Sequence, residues 1–277
     1  MLTDTHCHPY DLVSISPEAM QNLSSRKVLA ASSACTYKEF LFCEELAHNV
    51  PSDSLRLFPC FGIHPQFLKI RNDELGITGD STAAVDDELS LLEDLASAGR
   101  IFAAGECGFD LFNAAFRETE KQQDDVFTLQ IEITLKYDLP VVLHVRRAMH
   151  KIFALTNILS GCKAVVFHSW SGTLDEAQSL LRRGVNAYFS FGNVIMLNHK
   201  QAIKSCALLP AERLLTETDA PYQPGKGEKY SHWKDLPLIL NTAADLRTQA
   251  GNKIDTEELE LQIETNFRNI FKVVPEH

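Results

Sequence analysis

The chain has 277 residues, of which 45% are hydrophobic and 23% charged, and its formal net charge is −11. No segment holds the roughly 20 consecutive apolar residues that cross a bilayer, and no basic and apolar leader opens the chain, so we exclude a membrane span and predict a cytoplasmic protein. The acidic balance disfavours a broad basic surface for long nucleic acids, so an anionic substrate would need a local cluster and bound cations.

The seven cysteines are odd in number, widely spaced and never arranged as Cys-x-x-Cys. This pattern argues against a disulfide framework and against a thiolate zinc site. We expect most of them to be small buried residues in a reducing compartment. The sequence implies no obligate protein partner.

Short apolar runs alternate along the chain with longer amphipathic stretches, and eight such runs can be counted. The predicted strands are Leu2–Thr5, Lys27–Ser32, Leu57–Gly62, Ile101–Gly105, Pro140–His144, Ala164–His168, Asn186–Ser190 and Arg213–Thr216. Strand followed by helix, repeated eight times, is typical of parallel strands joined by crossovers. The fold class predicted is α/β, a (β/α)8 TIM-like barrel forming a single domain over residues 1–277.

Helical spacing of apolar residues occurs between most of these strands. The predicted helices are Tyr37–Asn49, Leu89–Ala98, Gln122–Tyr137, Leu174–Arg183 and Lys200–Ala207. The polar stretch Arg71–Glu88 is predicted to be a surface loop leading into a helix, and the irregular stretch Pro221–Lys234 to form part of a substrate rim. The apolar residues of Glu257–Phe271 predict a helix on the outside of the barrel.

Histidines and carboxylates follow several of the apolar runs directly. Because a closed barrel gathers the carboxyl ends of its strands at one face, residues far apart in sequence can meet there around one ion or two. An isolated histidine is more often a hydrogen-bonded core residue, but the repetition favours ligation, and a buried unpaired carboxylate would cost several kcal/mol. The candidate metal ligands are His6, His8, Glu106, His144, His168 and Asp219.

Two further side chains are candidates for holding substrate. His64 closes the third run and is a weaker ligand candidate, so we assign it to substrate binding. Arg146 and Arg147 follow His144, and a planar guanidinium suits phosphate oxygens; we favour Arg146 for this role. Glu217 is interpreted as a structural ion-pair partner or as a group behind the ligands.

Taken in order, these residues resemble the TatD family of metal-dependent deoxyribonucleases in the amidohydrolase superfamily, and the resemblance runs nearly end to end. The motifs that carry it are Asp4-Thr5-His6-Cys7-His8, Gly62-Ile63-His64-Pro65, Gly105-Glu106-Cys107-Gly108-Phe109-Asp110, Leu139 to Arg146, His168-Ser169-Trp170-Ser171-Gly172 and Glu217-Thr218-Asp219-Ala220-Pro221-Tyr222.

The resemblance implies a site for two divalent ions, with His6, His8 and Asp219 on one, His144 and His168 on the other, and Glu106 bridging. It implies phosphodiester hydrolysis, usually removal of nucleotides from the 3′ end of single-stranded or frayed DNA, with Mg²⁺, Mn²⁺ or Zn²⁺. It also matches His64 and Arg146 to phosphate-pocket positions.

The sequence departs from the family pattern beside the ligands. Leu111 stands where an aromatic residue is usual, Arg147 where an acidic residue is common, Gln66 where a histidine is more usual and Gln223 where an apolar residue is usual. These changes bear on substrate preference more than on catalysis.

The mechanism we expect is metal-assisted hydrolysis, in which Asp219 orients or deprotonates the attacking water and Glu106 bridges the ions. Imidazole-rich ligation suits Zn²⁺ and Mn²⁺ better than Mg²⁺, so the physiological ion stays open. One alternative is a hydrolase of the same superfamily acting on a small ester, lactone or amide, although the chain lacks the carbamylated lysine such enzymes use. Another is a barrel that binds metal or nucleic acid without catalysis.

Overall fold

The computed structural model describes residues 1–20, 26–51, 53–76 and 82–273. In this part of the chain eight parallel strands form one sheet in which each strand pairs with the next in sequence, from β1 to β8. The strands are β1 (Leu2–Cys7), β2 (Val28–Ala34), β3 (Leu55–Phe61), β4 (Ala104–Asp110), β5 (Val141–Arg146), β6 (Val165–Phe167), β7 (Ala187–Phe191) and β8 (Leu214–Thr216). The predicted barrel class is confirmed.

Helices follow the strands and cover the outside of the sheet. They are α1 (Pro9–Ile15), α2 (Tyr37–Asn49), α3 (Pro65–Leu75), α4 (Asp86–Ser97), α5 (Ala114–Arg117), α6 (Glu120–Lys136), α7 (Met149–Ala154), α8 (Thr156–Leu159), α9 (Leu174–Arg182), α10 (Lys200–Leu208), α11 (Leu236–Gln249) and α12 (Thr256–Phe271). Short 3₁₀ helices span Pro17–Met20, Thr82–Val85, Asn193–Met196, Ala211–Arg213 and Trp233–Asp235. The five helices predicted from periodicity are all present, with ends shifted by at most three residues.

Strands β1 and β8 close the barrel through side chains rather than through a backbone ladder. The Thr216 hydroxyl donates to the Thr3 carbonyl oxygen over 2.8 Å, and the Thr5 hydroxyl donates to the Thr216 carbonyl oxygen over 3.1 Å. Just beyond the strands, the backbone N–H of Asp219 donates to the carbonyl oxygen of His6 over 2.9 Å. These contacts bring His6 and Asp219, which lie near the two ends of the predicted set of ligands, side by side.

The apolar core has an outer layer between strands and helices and an inner layer that fills the barrel. Leu29, Phe58 and Val142 of the inner layer come from three different strands. The last turns of α12 belong to the same inner cluster through Phe267 and Phe271, which are 0% and 1% exposed. The helix packs against β1 and β8 as predicted, and in addition its final aromatic residues join the inner cluster.

Strand β4 lies further along the chain than predicted. The apolar run Ile101–Gly105 suggested a strand that ends at Gly105, whereas the observed strand pairs Cys107 with Leu143 of β5 and places Glu106 inside its span. Gly105 has φ 140°, and a Cβ there would lie 2.5 Å from the carbonyl oxygen of Val142, so the close approach requires glycine. The backbone partners, and not the local apolar content, decided the strand boundaries.

The predicted loop Arg71–Glu88 is also only partly correct. Helix α3 continues through Arg71 to Leu75 and ends at Gly76, which adopts the left-handed conformation with φ 64°. Residues 77–81 lie outside the described residues. Helix α4 begins at Asp86. Among the described residues, no helix combines the length and apolar character that a membrane crossing requires.

Candidate metal centre

Glu106 lies at the centre of the residues that the sequence singled out. Its Oε1 is 2.7 Å from His144 Nδ1, 2.8 Å from His168 Nε2 and 3.4 Å from His64 Nε2. Its Oε2 is 3.1 Å from His6 Nε2. The alternation of β4 explains this position, because Cys107 packs in the outer layer while its neighbour points inward. One buried carboxylate thus meets imidazoles from four other strand ends.

A second group forms where β1 and β8 meet. His8 Nε2 lies 3.0 Å from His6 Nε2, and Asp219 Oδ1 lies 3.5 Å from the first and 3.6 Å from the second. Asp219 has φ 52°, a left-handed conformation that Asp and Asn tolerate better than most residues. Side chains separated by more than two hundred positions therefore share one site.

The outward ring nitrogens of two histidines are directed by groups behind them. His6 Nδ1 is 3.1 Å from the Ser33 hydroxyl, and His168 Nδ1 faces Glu217 Oε1 at 3.6 Å. Glu217 Oε1 also accepts the backbone N–H of Ser169 over 2.7 Å. Partners of this kind set the tautomer and orientation of a metal-binding imidazole. Glu217 thus lies behind His168, on the side away from Glu106.

Asp110 also belongs to the candidate site, although the sequence assigned it no role. Its Oδ2 lies 3.1 Å from His144 Nε2 and accepts the side-chain amide of Gln66 over 2.7 Å. Burial opposes its ionisation, but the bonds from His144, Gln66 and the backbone of Phe112 lower the pKa of Asp110 to about 2. Alternation from Glu106 along the same strand would have predicted it, had the strand been extended to its observed end.

The electrostatics of the centre keep its carboxylates charged. Burial disfavours ionisation of Glu106, yet the imidazoles of His168, His64 and His6 hold the pKa of Glu106 well below its ordinary value. Burial also opposes protonation of His168, but Glu106 raises the pKa of His168 well above its usual range. The pKa of Asp219 is likewise lowered, against its burial, by His8 and the other histidines. The negative charge of the buried carboxylates is thus balanced by protons on the neighbouring imidazoles, and a bound cation can take the place of those protons.

The donor set fits divalent metal ions. Among the described residues, three groups of side chains each bring their ligand atoms within 4.8 Å of one another: His6 with Glu106 and His168, His6 with His8 and Asp219, and His64 with Glu106 and His144. The Nε2 atoms of His6 and His8 face each other over 3.0 Å, an arrangement that a shared cation stabilises better than a single proton. Imidazole with carboxylate is a ligand set that zinc and manganese bind.

His64 and Arg146 lie beside the candidate ligands in the same cleft, whose volume is about 730 Å³. His64 Nδ1 accepts the backbone N–H of Gln66 over 3.2 Å, and burial lowers the pKa of His64. The neutral ring therefore carries its proton on Nε2, which suits donation to an anion better than metal ligation. Arg146 ends β5, is 45% exposed, and lies 3.6 Å from Asp110.

The stretch predicted as a substrate rim also reaches the cleft. Tyr222 and Gln223 line it, and the Gln223 side-chain amide donates to Asp219 Oδ2 over 2.7 Å. Gln223 is also hydrogen-bonded to the Ser169 hydroxyl over 2.7 Å. A residue that departs from the family pattern is therefore in direct contact with the candidate base.

Comparison with known proteins decides the family. A model of the TatD related DNases matches residues 3–272. The chain belongs to this family. The resemblance drawn from the motifs is confirmed, and so is the predicted class of enzyme, a metal-dependent hydrolase of phosphodiester bonds.

Individual relatives agree with this assignment. The chain is 32% identical over 203 residues to the "3'-5' ssDNA/RNA exonuclease TatD" of Dickeya dadantii, covering 70% of this chain and 73% of that protein. It is 30% identical over 226 residues to the protein of the same name from Enterobacter lignolyticus, covering 79% of each. The crystal structure of a TatD homologue from Escherichia coli superimposes with a TM-score of 0.79 at 24% identity, covering 99% of this chain and 98% of that one.

Proposed function

We propose that this TatD-family protein is a two-metal exonuclease that removes nucleotides from the 3′ end of single-stranded DNA or RNA. The observation that carries the proposal is the convergence of four imidazole nitrogens on the two oxygens of Glu106, the longest contact being 3.4 Å. The names of the relatives, which specify a 3′–5′ direction and single-stranded substrates, support the finer assignment.

Each ion has a proposed set of protein ligands. His6, His8 and Asp219 would hold one ion. His144 and His168 would hold the other, with Glu106 placed as a ligand that both could share. The imidazole content favours Zn²⁺ or Mn²⁺ over Mg²⁺, which prefers oxygen ligands. Ions held by these residues would supply a lowered pKa for the attacking water and charge neutralisation at the phosphoryl oxygen.

The protein's own groups have distinct roles in the proposed reaction. Asp219 Oδ1 accepts a proton from the attacking water, and its ionised state at neutral pH suits it to do so. The Nε2–H of His64 and the guanidinium of Arg146 bind non-bridging oxygens of the scissile phosphate. Gln223 holds Asp219 in the orientation needed, through its 2.7 Å hydrogen bond.

The acidic overall charge is compatible with this substrate. A net charge of −11 repels a polyanion at long range, so binding has to come from the cleft itself. An enzyme that binds only the end of a strand needs a small contact surface, whereas one that binds duplex DNA along its length needs a broad basic surface. The end of a single strand is therefore the substrate that the charge distribution favours.

The test is cleavage by metal-stripped protein refilled with one cation at a time. Single-stranded DNA labelled at its 5′ end should yield a ladder that shortens progressively, and the same strand labelled at its 3′ end should release mononucleotide at once. Release from the 5′ end, or hydrolysis of lactones and esters without cleavage of oligonucleotides, would contradict the proposal.

We also propose that the chain forms a single domain and is located in the cytoplasm. The family match over most of the chain supports the first, and the seven free cysteines support the second.

A further inference from the structure

Three arginines gather around one exposed residue, Phe112, at the edge of the cleft. The Cζ atoms of Arg146 and Arg147 lie 4.1 Å and 4.6 Å from the centroid of the Phe112 ring, which is 43% exposed. Arg147 and Arg117 also donate side-chain hydrogen bonds to the carbonyl oxygen of Phe112, over 3.3 and 3.4 Å. We call Phe112, Arg117, Arg146 and Arg147 the arginine–phenylalanine patch.

The patch is a local concentration of positive charge in an acidic protein. Acidic residues outnumber Lys and Arg by 37 to 26 in the sequence. Even so, within the described part of the chain, neither Arg117 nor Arg147 has a carboxylate within ion-pair distance, whereas Arg146 lies 3.6 Å from Asp110. Their charges are thus free to meet an anion. Surface arginines with this much aromatic and backbone support are also ordered before a ligand arrives, which lowers the entropic cost of binding.

The position of the patch relates it to the metal centre. Asp110 Oδ2 contacts both His144 Nε2, at 3.1 Å, and Arg146 Nη1, at 3.6 Å. On the other side, Arg147 lines a smaller cavity of about 170 Å³ that shares His168 and other residues with the main cleft. The patch therefore adjoins the metal centre through Asp110 and Arg146, at an edge where a bound chain can leave the cleft.

We propose that the arginine–phenylalanine patch is a subsite for the nucleotides that precede the scissile phosphate of a single-stranded substrate. This proposal rests on the proposed function and adds to it a preference for chains over dinucleotides. Arg117 and Arg147 bind backbone phosphates, and a nucleobase extends the stack formed by Phe112 and the guanidinium planes. Nucleobases stack on both kinds of surface, and such stacking tolerates any base sequence.

The test compares binding and cleavage of a decamer and a dinucleotide of single-stranded DNA by the Mn²⁺-loaded enzyme. Arg117→Ala/Arg147→Ala should lower the decamer-to-dinucleotide ratio of kcat/KM at least tenfold, and Phe112→Ala at least fivefold. In fluorescence anisotropy, the slope of log Kd against log salt concentration for a labelled decamer should fall by about 1.4, or about 0.7 for each phosphate that is no longer bound. Arg117→Lys/Arg147→Lys should restore most of the salt slope but only part of the ratio, because the ammonium group lacks the planar fork.

Arg183→Ala is the matched control. Arg183 is an exposed arginine whose Cζ lies 5.5 Å from the Phe153 ring centroid, at the end of α9, so the substitution removes one arginine charge and the same kind of contact far from the patch, against two charges in the double variant. An unchanged ratio in the double variant, or an equal loss in Arg183→Ala, would overturn the subsite. If decamer binding depends on the patch arginines but no nucleotide is released, the proposed function is wrong and the subsite stands. If both substrates are cleaved without any dependence on the patch, the subsite is wrong and the proposed function stands.

Discussion

Replacement of Asp219 by Asn is the most direct test of the proposed chemistry. The substitution keeps the shape of the side chain, and asparagine tolerates the left-handed backbone at this position, with φ 52°. It removes the charge that faces His6 and His8 and the oxygen that would accept a proton from water. We therefore expect the fold to be retained and turnover to be lost.

The size of the loss can be estimated from the two roles. Removing a general base costs typically 10²–10⁴ in rate, and the group of His6, His8 and Asp219 would also lose one of its candidate ligands. We expect kcat to fall about 10³-fold at saturating Mn²⁺, equivalent to about 4 kcal/mol of transition-state stabilisation at 1.36 kcal/mol per decade. The assay is release of nucleotide from end-labelled single-stranded DNA, with circular dichroism to verify folding.

Asp175→Asn serves as its control, because Asp175 is exposed in the first turn of α9 and lies outside the residues that line the cleft. It should cleave at the wild-type rate. A folded Asp219→Asn enzyme with kcat within tenfold of wild type would refute the assignment of Asp219 as base and ligand.

Three further outcomes are expected. Phe267→Ala should destabilise the protein by about 3–5 kcal/mol, because the ring is fully buried against other aromatic rings in the barrel interior. In calorimetry the Tm should fall by roughly 6–20 °C. The control Leu261→Ala, on the same helix but 66% exposed, should change stability by less than about 0.5 kcal/mol. Gln223→Leu should lower kcat about tenfold with little change in KM, since the hydrogen bond to Asp219 orients the base without contacting the scissile phosphate; an unchanged kcat would mean that the histidines alone position the carboxylate. Glu106→Gln should abolish most of the thermal stabilisation by Mn²⁺, which for wild-type protein at 100 times Kd is about 2.7 kcal/mol; an equal Tm increase in the variant would show that Glu106 is not a ligand.

The departures from the family pattern have different consequences in the structure. Gln66 and Gln223 each donate a 2.7 Å hydrogen bond to a carboxylate of the site, Asp110 and Asp219 respectively. Arg147 turns outward and stacks on the Phe112 ring. Two of the changes therefore act on the orientation of the centre, and one acts on the surface that a longer substrate would cross.

Local sequence patterns determined the architecture and most of the site. A buried parallel strand has to be apolar on both faces, so runs such as Val141–Leu143 and Val165–Phe167 are visible without any structure. Once strands alternate with helices eight times, a barrel is the arrangement that pairs every strand, and its geometry gathers the carboxyl ends at one face. That is why His144 and His168, each placed directly after such a run, could be predicted as neighbours.

Tertiary contacts decided what those patterns leave open. The register of β4 against β5 placed Glu106 within the strand and turned Asp110 toward His144, because pairing energy along the ladder outweighs the weak strand propensity of a segment with two glycines. The same holds for α12: its periodicity predicts a helix, but only the open end of the barrel determines that Phe267 faces the interior. Short-range patterns specify which elements form and in what order, whereas the ends of a strand and the orientation of residues within an element depend on partners that are distant in sequence.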